Sequence, residues 1–406
     1  MKFKSYLAEE KNVHMEHVED LMFNEGVDGT RKAINFLRDI RDTLSGHTVR
    51  KSNFTVKWDG APAIFAGVDP NDGKFFVAKK GIFNKSPQLF KTEGDIDRIL
   101  SGDLAEKFKY SLREFKKLGI KSGVIQGDLM FTSADLRAES IDGTEYITFQ
   151  PNTIVYAIPK GSNLAKEIQA AEIGVVWHTS YSGDSFENMK ASFGKNIVGT
   201  LRKTKTVWQD DANYKDVSGT ATFTARETKD FNLLLSQSGR QFRTIKAIAP
   251  NTIAASKEMR DRFKAFNNSM VRGTGIPFNN VRQPLLKYFN EYFDKEIAKK
   301  SSPAAVKTWT DKKNTTIGFI TKNIRSIESM YRLMGTLTQA KHIVVNKLNQ
   351  GSSLPTFLRT AYGFKVTDPE GFVAIDHLSN GAVKLVNRME FSRANFSSDI
   401  IKGWER

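Results

Sequence analysis

The order of apolar and polar residues divides the chain into stretches of different secondary structure. Residues 1–48 carry apolar residues near helical spacing, which predicts a helical segment. Residues 49–160 consist mostly of short apolar runs bounded by turn residues, which predicts strands. Residues 225–351 return to helical spacing, and about fifty residues at the end return to strands. Strands on both sides of a helical block predict an α+β fold that contains a helical insertion.

The helical block contains the longest amphipathic pattern of the chain. Ser302-Pro303 is a typical helix start, because an N-cap residue precedes proline in the first turn. One long helix is predicted over 315–349, with Ile320, Ile327 and Leu333 in its buried stripe. We therefore divide the chain into a helical segment 1–48, a first part of the sheet domain 49–230, a helical insertion 231–350 and a second part of the sheet domain 351–406.

Composition is that of an ordinary globular protein. No apolar run approaches the length of about eighteen residues that a membrane span needs, so no membrane partner is expected. The chain contains no cysteine, which excludes disulfides and thiolate metal sites and fits a reducing compartment. The N-terminus becomes acidic at Glu9 and Glu10, too soon for a signal peptide, so a cytoplasmic location is expected.

Positive charge is concentrated in the helical insertion. Residues 231–350 hold 21 Lys and Arg against 7 Asp and Glu, so they carry +14 of the net charge of +16. A basic excess confined to one segment is typical of a module that binds a polyanion. The alternative is a helical segment with a solvated lysine face. We expect the insertion 231–350 to hold a nucleic-acid backbone.

Lys57 is the first candidate for chemistry. It ends an extended run and precedes Asp59-Gly60, a turn signal, and this geometry suits a lysine presented to a phosphate. A nucleophilic lysine must be shifted toward its neutral form. Lys79 and Lys80 lie on the strand predicted next to Lys57, and their like charge is expected to lower its pKa. The alternative is a surface hairpin with solvated, aggregation-resisting lysines.

Charged residues also lie within two apolar strands elsewhere and directly before a third. Asp128 lies within Gly123–Phe131, where a carboxylate is costly unless it meets a partner, a metal or a ligand. Glu370 precedes one strand near the end of the chain, and Lys384 lies inside the next. His178 also lies in a strand, and we interpret it as a hydrogen-bonded sheet residue rather than a catalytic base.

In this order, the motifs resemble the covalent nucleotidyltransferase superfamily of ATP-dependent RNA and DNA ligases and mRNA capping enzymes. The likeness covers about 49–180 and 353–396, and it predicts an adenylation domain of antiparallel sheets with helices. The whole chain also resembles an uncharacterised protein family of large tailed bacteriophages. The matching elements are Lys57-Trp58-Asp59-Gly60, Lys79-Lys80-Gly81, Gly127-Asp128-Leu129, the strand of Phe149, Glu370-Gly371-Phe372-Val373 and Val383-Lys384-Leu385.

The chain departs from the family pattern in several places. Val386 stands where the last motif has a second lysine, and Arg388 is the candidate substitute. Asp128 is shorter than the usual Glu, and Pro62 stands where many members have Arg. Only 18 residues follow Arg388, so the C-terminal OB domain of DNA ligases and capping enzymes is not expected. This favours an RNA-ligase-like protein.

The resemblance implies an ATP-dependent polynucleotide ligase. Lys57 would take AMP from ATP, and Asp59 would orient Lys57 or a metal-bound water. Asp128 and Glu370 would hold Mg²⁺ or its water. Lys384 would stabilise charge on the α-phosphate. The nucleotide would also contact Gly60, Lys79, Lys80, Phe149, which would stack on the base, and Arg388.

Two other functions remain open. The missing second lysine favours a phage nucleic-acid-binding protein that keeps the ligase-like fold without catalysis. A capping-type enzyme that uses GTP is the third possibility. In each case the partner is RNA or DNA, and a phage-encoded protein would act in the host cytoplasm. The choice between RNA and DNA ends remains open.

Overall fold

The computed structural model describes residues 16–46, 53–84, 86–214, 221–272, 278–351, 354–376, 381–386, 395 and 397–405. Its α-helices are α1 (Leu21–Leu44), α2 (Glu93–Asp97), α3 (Gly102–Phe115), α4 (Asn163–Ala170), α5 (Ala225–Thr244), α6 (Ile248–Ala255), α7 (Lys257–Arg272), α8 (Arg282–Ala298), α9 (Pro303–Lys322) and α10 (Ile324–Asn349). Its strands are β1 (Asn53–Lys57), β2 (Ala63–Val68), β3 (Phe75–Ala78), β4 (Leu89–Phe90), β5 (Val124–Thr132), β6 (Arg137–Ile141), β7 (Thr144–Phe149), β8 (Ile154–Pro159), β9 (Ile173–Ser182), β10 (Lys190–Phe193), β11 (Val207–Asp211), β12 (Thr356–Thr360), β13 (Gly363–Val366), β14 (Gly371–Asp376) and β15 (Gly381–Leu385). The described part is thus a mixed α/β fold with mostly antiparallel sheets, as the sequence predicts at this coarse level.

Three sheets form the β part of the molecule. The first has three strands in the order β1-β14-β15, and it joins the beginning of the predicted sheet domain to its end. The second has seven strands, with β10-β9-β5-β2-β3-β4 in order and β11 added in parallel to β9. The third has five strands in the order β13-β12-β8-β7-β6. Strands from before and after the helical block therefore combine in the first and third sheets.

The two faces of the three-stranded sheet have different surroundings. On one face, apolar side chains of this sheet belong to the same hydrophobic core as α1 and the helices from α5 to α10; they are Phe54, Phe372, Ala374, Val383 and Leu385. The other face carries Thr55, Lys57, Val373, Ile375 and Lys384, and it borders a cavity. Alternation along the strands separates the two sets, because successive side chains point to opposite faces. The helices thus cover one side of the sheet and leave the charged side to the cavity.

The helical part differs from its prediction at one point. Ser302 caps α9 as expected, because its side chain accepts a hydrogen bond from the backbone N–H of Ala305 and proline follows in the first turn. The prediction of a single long helix over 315–349 is wrong, since α9 ends at Lys322 and α10 begins at Ile324, with Asn323 between them. Ile320, Ile327 and Leu333 are nevertheless buried. Hydrophobic spacing predicts the buried stripe but not the change of direction between two helices that share it.

Backbone hydrogen bonds connect the three-stranded sheet to the seven-stranded sheet. The backbone N–H of Ala212 donates to the carbonyl of Trp177 in β9 at 2.8 Å, and the carbonyl of Ala212 accepts from Val56 in β1 at 2.7 Å. Near Lys57, the N–H of Ala61 donates to the carbonyl of Leu129 in β5 at 3.0 Å. These bonds hold the two sheets together around the cavity between them. Across the described residues, none of the helices is both long and apolar enough to cross a bilayer.

Candidate active site

The cavity between the two sheets has a volume of about 370 Å³. One wall is the charged face of the three-stranded sheet, with Lys57 and Lys384. The opposite wall is the seven-stranded sheet, which contributes side chains from β2, β5 and β9. The wall residues used below are Phe65, Gln126, Asp128, His178, Thr179 and Tyr181. Both walls therefore present polar groups to the same space.

Lys57, which lines this cavity, forms an ion pair with Glu370. Lys57 is the last residue of β1 and lies opposite Gly371, so strand pairing brings Glu370 next to its ammonium group. Gly371 has φ of 146°, and a Cβ there would come within 2.6 Å of the carbonyl oxygen of Leu385. Only glycine fits this position without strain. The turn into β14 thus depends on glycine to present Glu370.

The carboxylates around Lys57 keep it protonated. Burial alone would lower its pKa, but Glu370, Asp128 and Asp59 together raise the pKa above the usual lysine value. We expected Lys79 and Lys80 to lower this pKa, and that expectation is wrong because the nearby charges that dominate are negative. Lys57 is therefore an ammonium ion in this structure, and it must lose a proton before it can act as a nucleophile.

Two carboxyl groups of the cavity titrate near neutrality. Burial raises the pKa of Asp128 to about 7; Lys57 opposes this rise, and Asp59 adds to it. Burial likewise raises the pKa of Glu370 to about 7, although Lys57 lowers it through charge and a hydrogen bond. A carboxyl group with such a pKa can accept or release a proton at physiological pH. The cavity therefore contains groups suited to proton transfer beside a lysine.

Asp59 holds the backbone beside Lys57 in place. Its carboxylate accepts hydrogen bonds from the side chain of Asn152 at 2.6 Å and from the backbone N–H groups of Thr153 at 2.7 Å and Ile154 at 2.9 Å. A Cβ at Gly60 would come within 2.5 Å of Cβ of Asp128, so glycine permits the turn after β1 to approach β5 closely. Asp59 acts on Lys57 through its charge and through the turn that it fixes.

Lys384 lies on the same face as Lys57. Lys384 of β15 pairs with Val373 of the neighbouring strand β14. Burial together with the charge of Lys57 lowers the pKa of Lys384. Its backbone N–H donates to the carbonyl of Glu16 at 3.0 Å, and the carboxylate of Glu16 contacts Lys264 of α7 at 2.8 Å. The segment before α1 and the helical insertion therefore both reach the edge of the cavity, a neighbourhood that the sequence did not reveal.

His178 is hydrogen-bonded within the sheet, as predicted, since its Nδ1 lies 2.7 Å from the hydroxyl of Thr179, and it also lines the cavity. Between β5 and β9 the register shifts, because Gln126 pairs with Thr179 while Gly127 pairs with Trp177, and His178 is the extra residue. Its Nε2 lies 3.9 Å from Asp128, and burial lowers its pKa to about 4. Bulges that redirect a side chain are common beside active sites. No periodicity in the sequence marks this bulge.

A second polar pair lies on the same wall. The hydroxyl of Tyr181 donates to Oε1 of Gln126 at 2.7 Å, and burial raises the pKa of Tyr181 to about 12. The hydroxyl therefore remains protonated, and it fixes the orientation of the Gln126 amide. The rings of Phe65 and Tyr181 lie 6.1 Å apart and give this part of the cavity an aromatic wall.

The remaining predicted site residues fall in different places. Lys80 lines the cavity, whereas Lys79 is not among its described lining residues. Phe149 is buried, with its ring 5.0 Å from Phe131 and 5.4 Å from Tyr156, and it does not reach the cavity in this structure. Arg388 lies outside the described residues. The structure thus brings together Lys57, Asp128, Glu370, Lys384 and Lys80, with Asp59 and Gly60 supporting them.

The carboxylates near Lys57 can hold the expected Mg²⁺ only together with ligands from a substrate and water. Within the described ranges, no group of three or more His, Asp or Glu is arranged to hold a metal by itself. Mg²⁺ in nucleotide sites is usually held by one or two carboxylates together with substrate phosphates and water. Asp128 in the cavity wall and Glu370 beside Lys57 provide that number of carboxylates. The donor set therefore fits a metal that arrives with a phosphorylated substrate.

Comparison with known proteins gives a family but no activity. The model of a family of unknown function, DUF6267, matches residues 12–400. No curated protein and no solved structure matches the chain. The geometry of the cavity is therefore the basis for any functional conclusion.

Proposed function

The chain belongs to the DUF6267 family, whose function is unknown, and from its cavity we propose that it is an ATP-dependent, RNA-ligase-like nucleotidyltransferase. One observation carries the proposal. Lys57 and Lys384, which are far apart in the sequence, meet on one wall of a single cavity with Asp128 on the other, and Glu370 is ion-paired with Lys57. Lysines beside carboxylates in an enclosed space are suited to attack on a phosphate and to stabilisation of its charge.

The first proposed step attaches AMP to Lys57. Neutral Nζ attacks the α-phosphorus of ATP, a P–N bond forms, and the bond from that phosphorus to the oxygen that bridges to the β-phosphate breaks. Pyrophosphate leaves with the electron pair. Before the attack, one proton of the ammonium group passes to Glu370, which contacts Nζ and whose pKa is about 7. The second proton, which the nitrogen loses as the P–N bond forms, passes to the leaving pyrophosphate. Glu370 thus serves as the base that generates the nucleophile.

The other charged residues act on the phosphates. Lys384 and Lys80 line the same cavity, and their positive charge stabilises the negative charge that develops around the α-phosphorus. Mg²⁺, if held by Asp128 together with the substrate phosphates, would supply further neutralisation of the phosphate oxygens and leave Glu370 to accept the proton. The aromatic wall near Phe65 and Tyr181 offers an apolar surface to the base of the nucleotide.

The later steps use the polynucleotide. An oxygen of a 5′-phosphate attacks the phosphorus of lysyl-AMP, the P–N bond breaks, and Lys57 takes back a proton. A 3′-hydroxyl then attacks the activated 5′-phosphate, loses its proton, and AMP leaves as the phosphodiester forms. The basic helical part holds the polynucleotide backbone, because contacts with phosphate supply most affinity that is independent of sequence.

Intact-mass measurement tests the covalent step. The purified, nucleotide-free protein, incubated with ATP and Mg²⁺, should gain the mass of one AMP and lose it in acid, as a phosphoramidate does. Lys57→Arg should abolish the adduct, because a guanidinium group stays protonated. Lys91→Arg is the matched control, since Lys91 is also ion-paired, with Asp69 at 2.6 Å and Asp72 at 2.8 Å, but lies outside the cavity. An adduct that survives Lys57→Arg would assign the nucleophile to another lysine, with Lys80 the first to test.

A binding protein without catalysis is the second candidate. The ion pair of Lys57 with Glu370 favours it, because that lysine is protonated, and so does buried Val386 in place of the second lysine. Such a protein would bind ATP without gaining mass under any nucleotide and metal condition. Incubation with GTP in parallel separates a capping-type enzyme, which would form the adduct with GMP.

A further inference from the structure

Five exposed cations form a cluster at one end of the helical part. Helices α5 and α10 pack antiparallel, because Lys347 near the end of α10 contacts Glu227 in the first turn of α5. At the opposite end, the N–H of Lys246 donates to the hydroxyl of Ser326 at 2.9 Å. The exposed cations there, which we name the basic end, are Arg240, Arg243, Lys246, Lys322 and Arg325.

The basic end is not neutralised by the carboxylates that the structure describes. None of its five cations forms an ion pair with a described residue, and residues 231–256 contain no Asp or Glu. Exposed Lys257, Lys295 and Lys307 of the helical part likewise form no ion pair with a described residue, whereas five other cations of this part are paired. Those pairs are Arg282 with Glu328, Lys287 with Glu291, Lys299 with Glu296, Lys312 with Glu258 and Lys313 with Asp294. What distinguishes the basic end is that its five unpaired cations lie together where the end of α5 meets the junction of α9 and α10.

We propose that the basic end binds the sugar-phosphate backbone of a polynucleotide at a distance from the reacting end. Its five Arg and Lys residues are spread over α5, the connection after α5, α9 and α10, which suits phosphates repeated along a strand better than one compact anion. The beginning of α10 adds the positive end of a helix dipole beside Ser326. The choice of a polynucleotide as partner rests on the proposed function.

The position of the basic end sets a minimum length for the substrate. Ser326 and Lys341 are fifteen residues apart on α10, which corresponds to about 22 Å along the helix axis. Lys341 contacts Glu19 at 2.5 Å, and the same N-terminal segment reaches Lys384 through the carbonyl of Glu16. A duplex rises about 3.4 Å per base-pair step. A duplex that spans the distance from the basic end to the neighbourhood of Lys341 therefore needs about seven steps.

Salt-dependent binding to hairpins of two lengths tests this inference. The probes are 5′-phosphorylated DNA hairpins with stems of about five and about fifteen base pairs, with RNA hairpins in parallel. Binding is measured without nucleotide on the Lys57→Arg protein. Changing all five basic-end residues to Gln should reduce the slope of log affinity against log salt by about four for the long stem, at roughly 0.9 per phosphate contact. The short stem should lose less than about one unit of slope.

The control variant removes the same amount of charge elsewhere. Arg282, Lys287, Lys299, Lys312 and Lys313 are changed to Gln, and this protein should bind the long stem with nearly the wild-type slope. Thermal unfolding verifies that both variants fold. Equal loss in the two variants, equal loss for the two stems, or binding only to anionic vesicles overturns the inference. Absence of a lysyl-AMP adduct with these slopes as expected would overturn the proposed function alone.

Discussion

At the scale of single residues, the contact between Lys57 and Glu370 decides how the cavity works. Without a phosphate ligand, the carboxylates hold Lys57 as an ammonium ion. Phosphate groups next to Glu370 and Asp128 would raise the pKa of both carboxyl groups, because like charges disfavour ionisation. Under the proposed function, the same phosphates also favour the charged form of Lys57, so the positive charges of Lys80 and Lys384 must offset them before the proton can pass from Lys57 to Glu370.

Glu370→Gln tests this role through a pH profile. The amide cannot accept the proton, so lysyl-AMP formation should slow by about 100-fold or more, the usual contribution of a general base. In the wild type, the rate should rise with pH through about 7 as Glu370 loses its own proton. That rise should disappear in Glu370→Gln and remain in Lys91→Arg. A variant that keeps both the rate and the profile would exclude Glu370 as the base.

Several of these residues could be found from the sequence, and others could not. Asp128 and Lys384 were recognisable because a charge inside an apolar strand is costly without a partner. His178 was missed because its orientation depends on a bulge that forms only when β9 pairs with β5. Phe149 was expected to stack on the base, but an aromatic residue in a strand gives no indication of which sheet will bury it.

At the scale of elements, the turn that leads into β14 is the critical connection. Gly371 combines a φ of 146° with a close approach to Leu385, and it positions Glu370 directly before the strand. The sequence predicted β14 and β15 as strands, since both are short apolar runs. It did not reveal that β1 would be their neighbour, because pairing between segments so distant in the chain leaves no local signal.

Gly371→Ala should therefore damage both stability and chemistry. The strained φ alone costs about 1–3 kcal/mol of unfolding free energy, and the contact with the carbonyl of Leu385 adds to it. Gly363→Ala is the control, because Gly363 has φ of 121° but no atom within 4 Å of a Cβ placed there. Chemical denaturation should show a larger loss for Gly371→Ala, accompanied by reduced adduct formation. Equal losses and full adduct formation in both variants would contradict this account.

At the scale of the whole molecule, the helical part and the three-stranded sheet fold as one unit. Phe54, Phe372 and Leu385 share a hydrophobic core with α1 and with α5 to α10. Hydrophobic spacing predicted the helices and the strands separately, yet not this shared core. Deletion of 231–350 would expose the covered face of the sheet, so substitution of surface charges is the appropriate way to examine nucleic-acid binding.

The buried carboxyls also make the stability of the molecule depend on pH. Asp128 has a pKa of about 7 in the folded protein, against about 3.9 in an unfolded chain. Between these values the folded state holds a proton that the unfolded state has lost, so stability falls as pH rises toward and through 7. Asp128→Asn should remove part of this fall.

The size of the effect has an upper limit. A shift of about three units corresponds to at most about 4 kcal/mol, and the side chain remains 23% exposed, which reduces the value. Denaturant unfolding at pH 5 and pH 8 should show that Asp128→Asn gains more stability at pH 8 than at pH 5. An equal effect at both values would mean that Asp128 is ionised throughout this range.

The hydrogen bonds of Ala212 have a mechanical consequence. One residue ties its N–H to β9 and its carbonyl to β1, so the two walls of the cavity cannot separate along that side without breaking main-chain bonds. On that side, backbone geometry therefore fixes the spacing of the two walls. Changes to side chains in the walls therefore alter the contacts with a ligand without altering the spacing of the walls at Ala212.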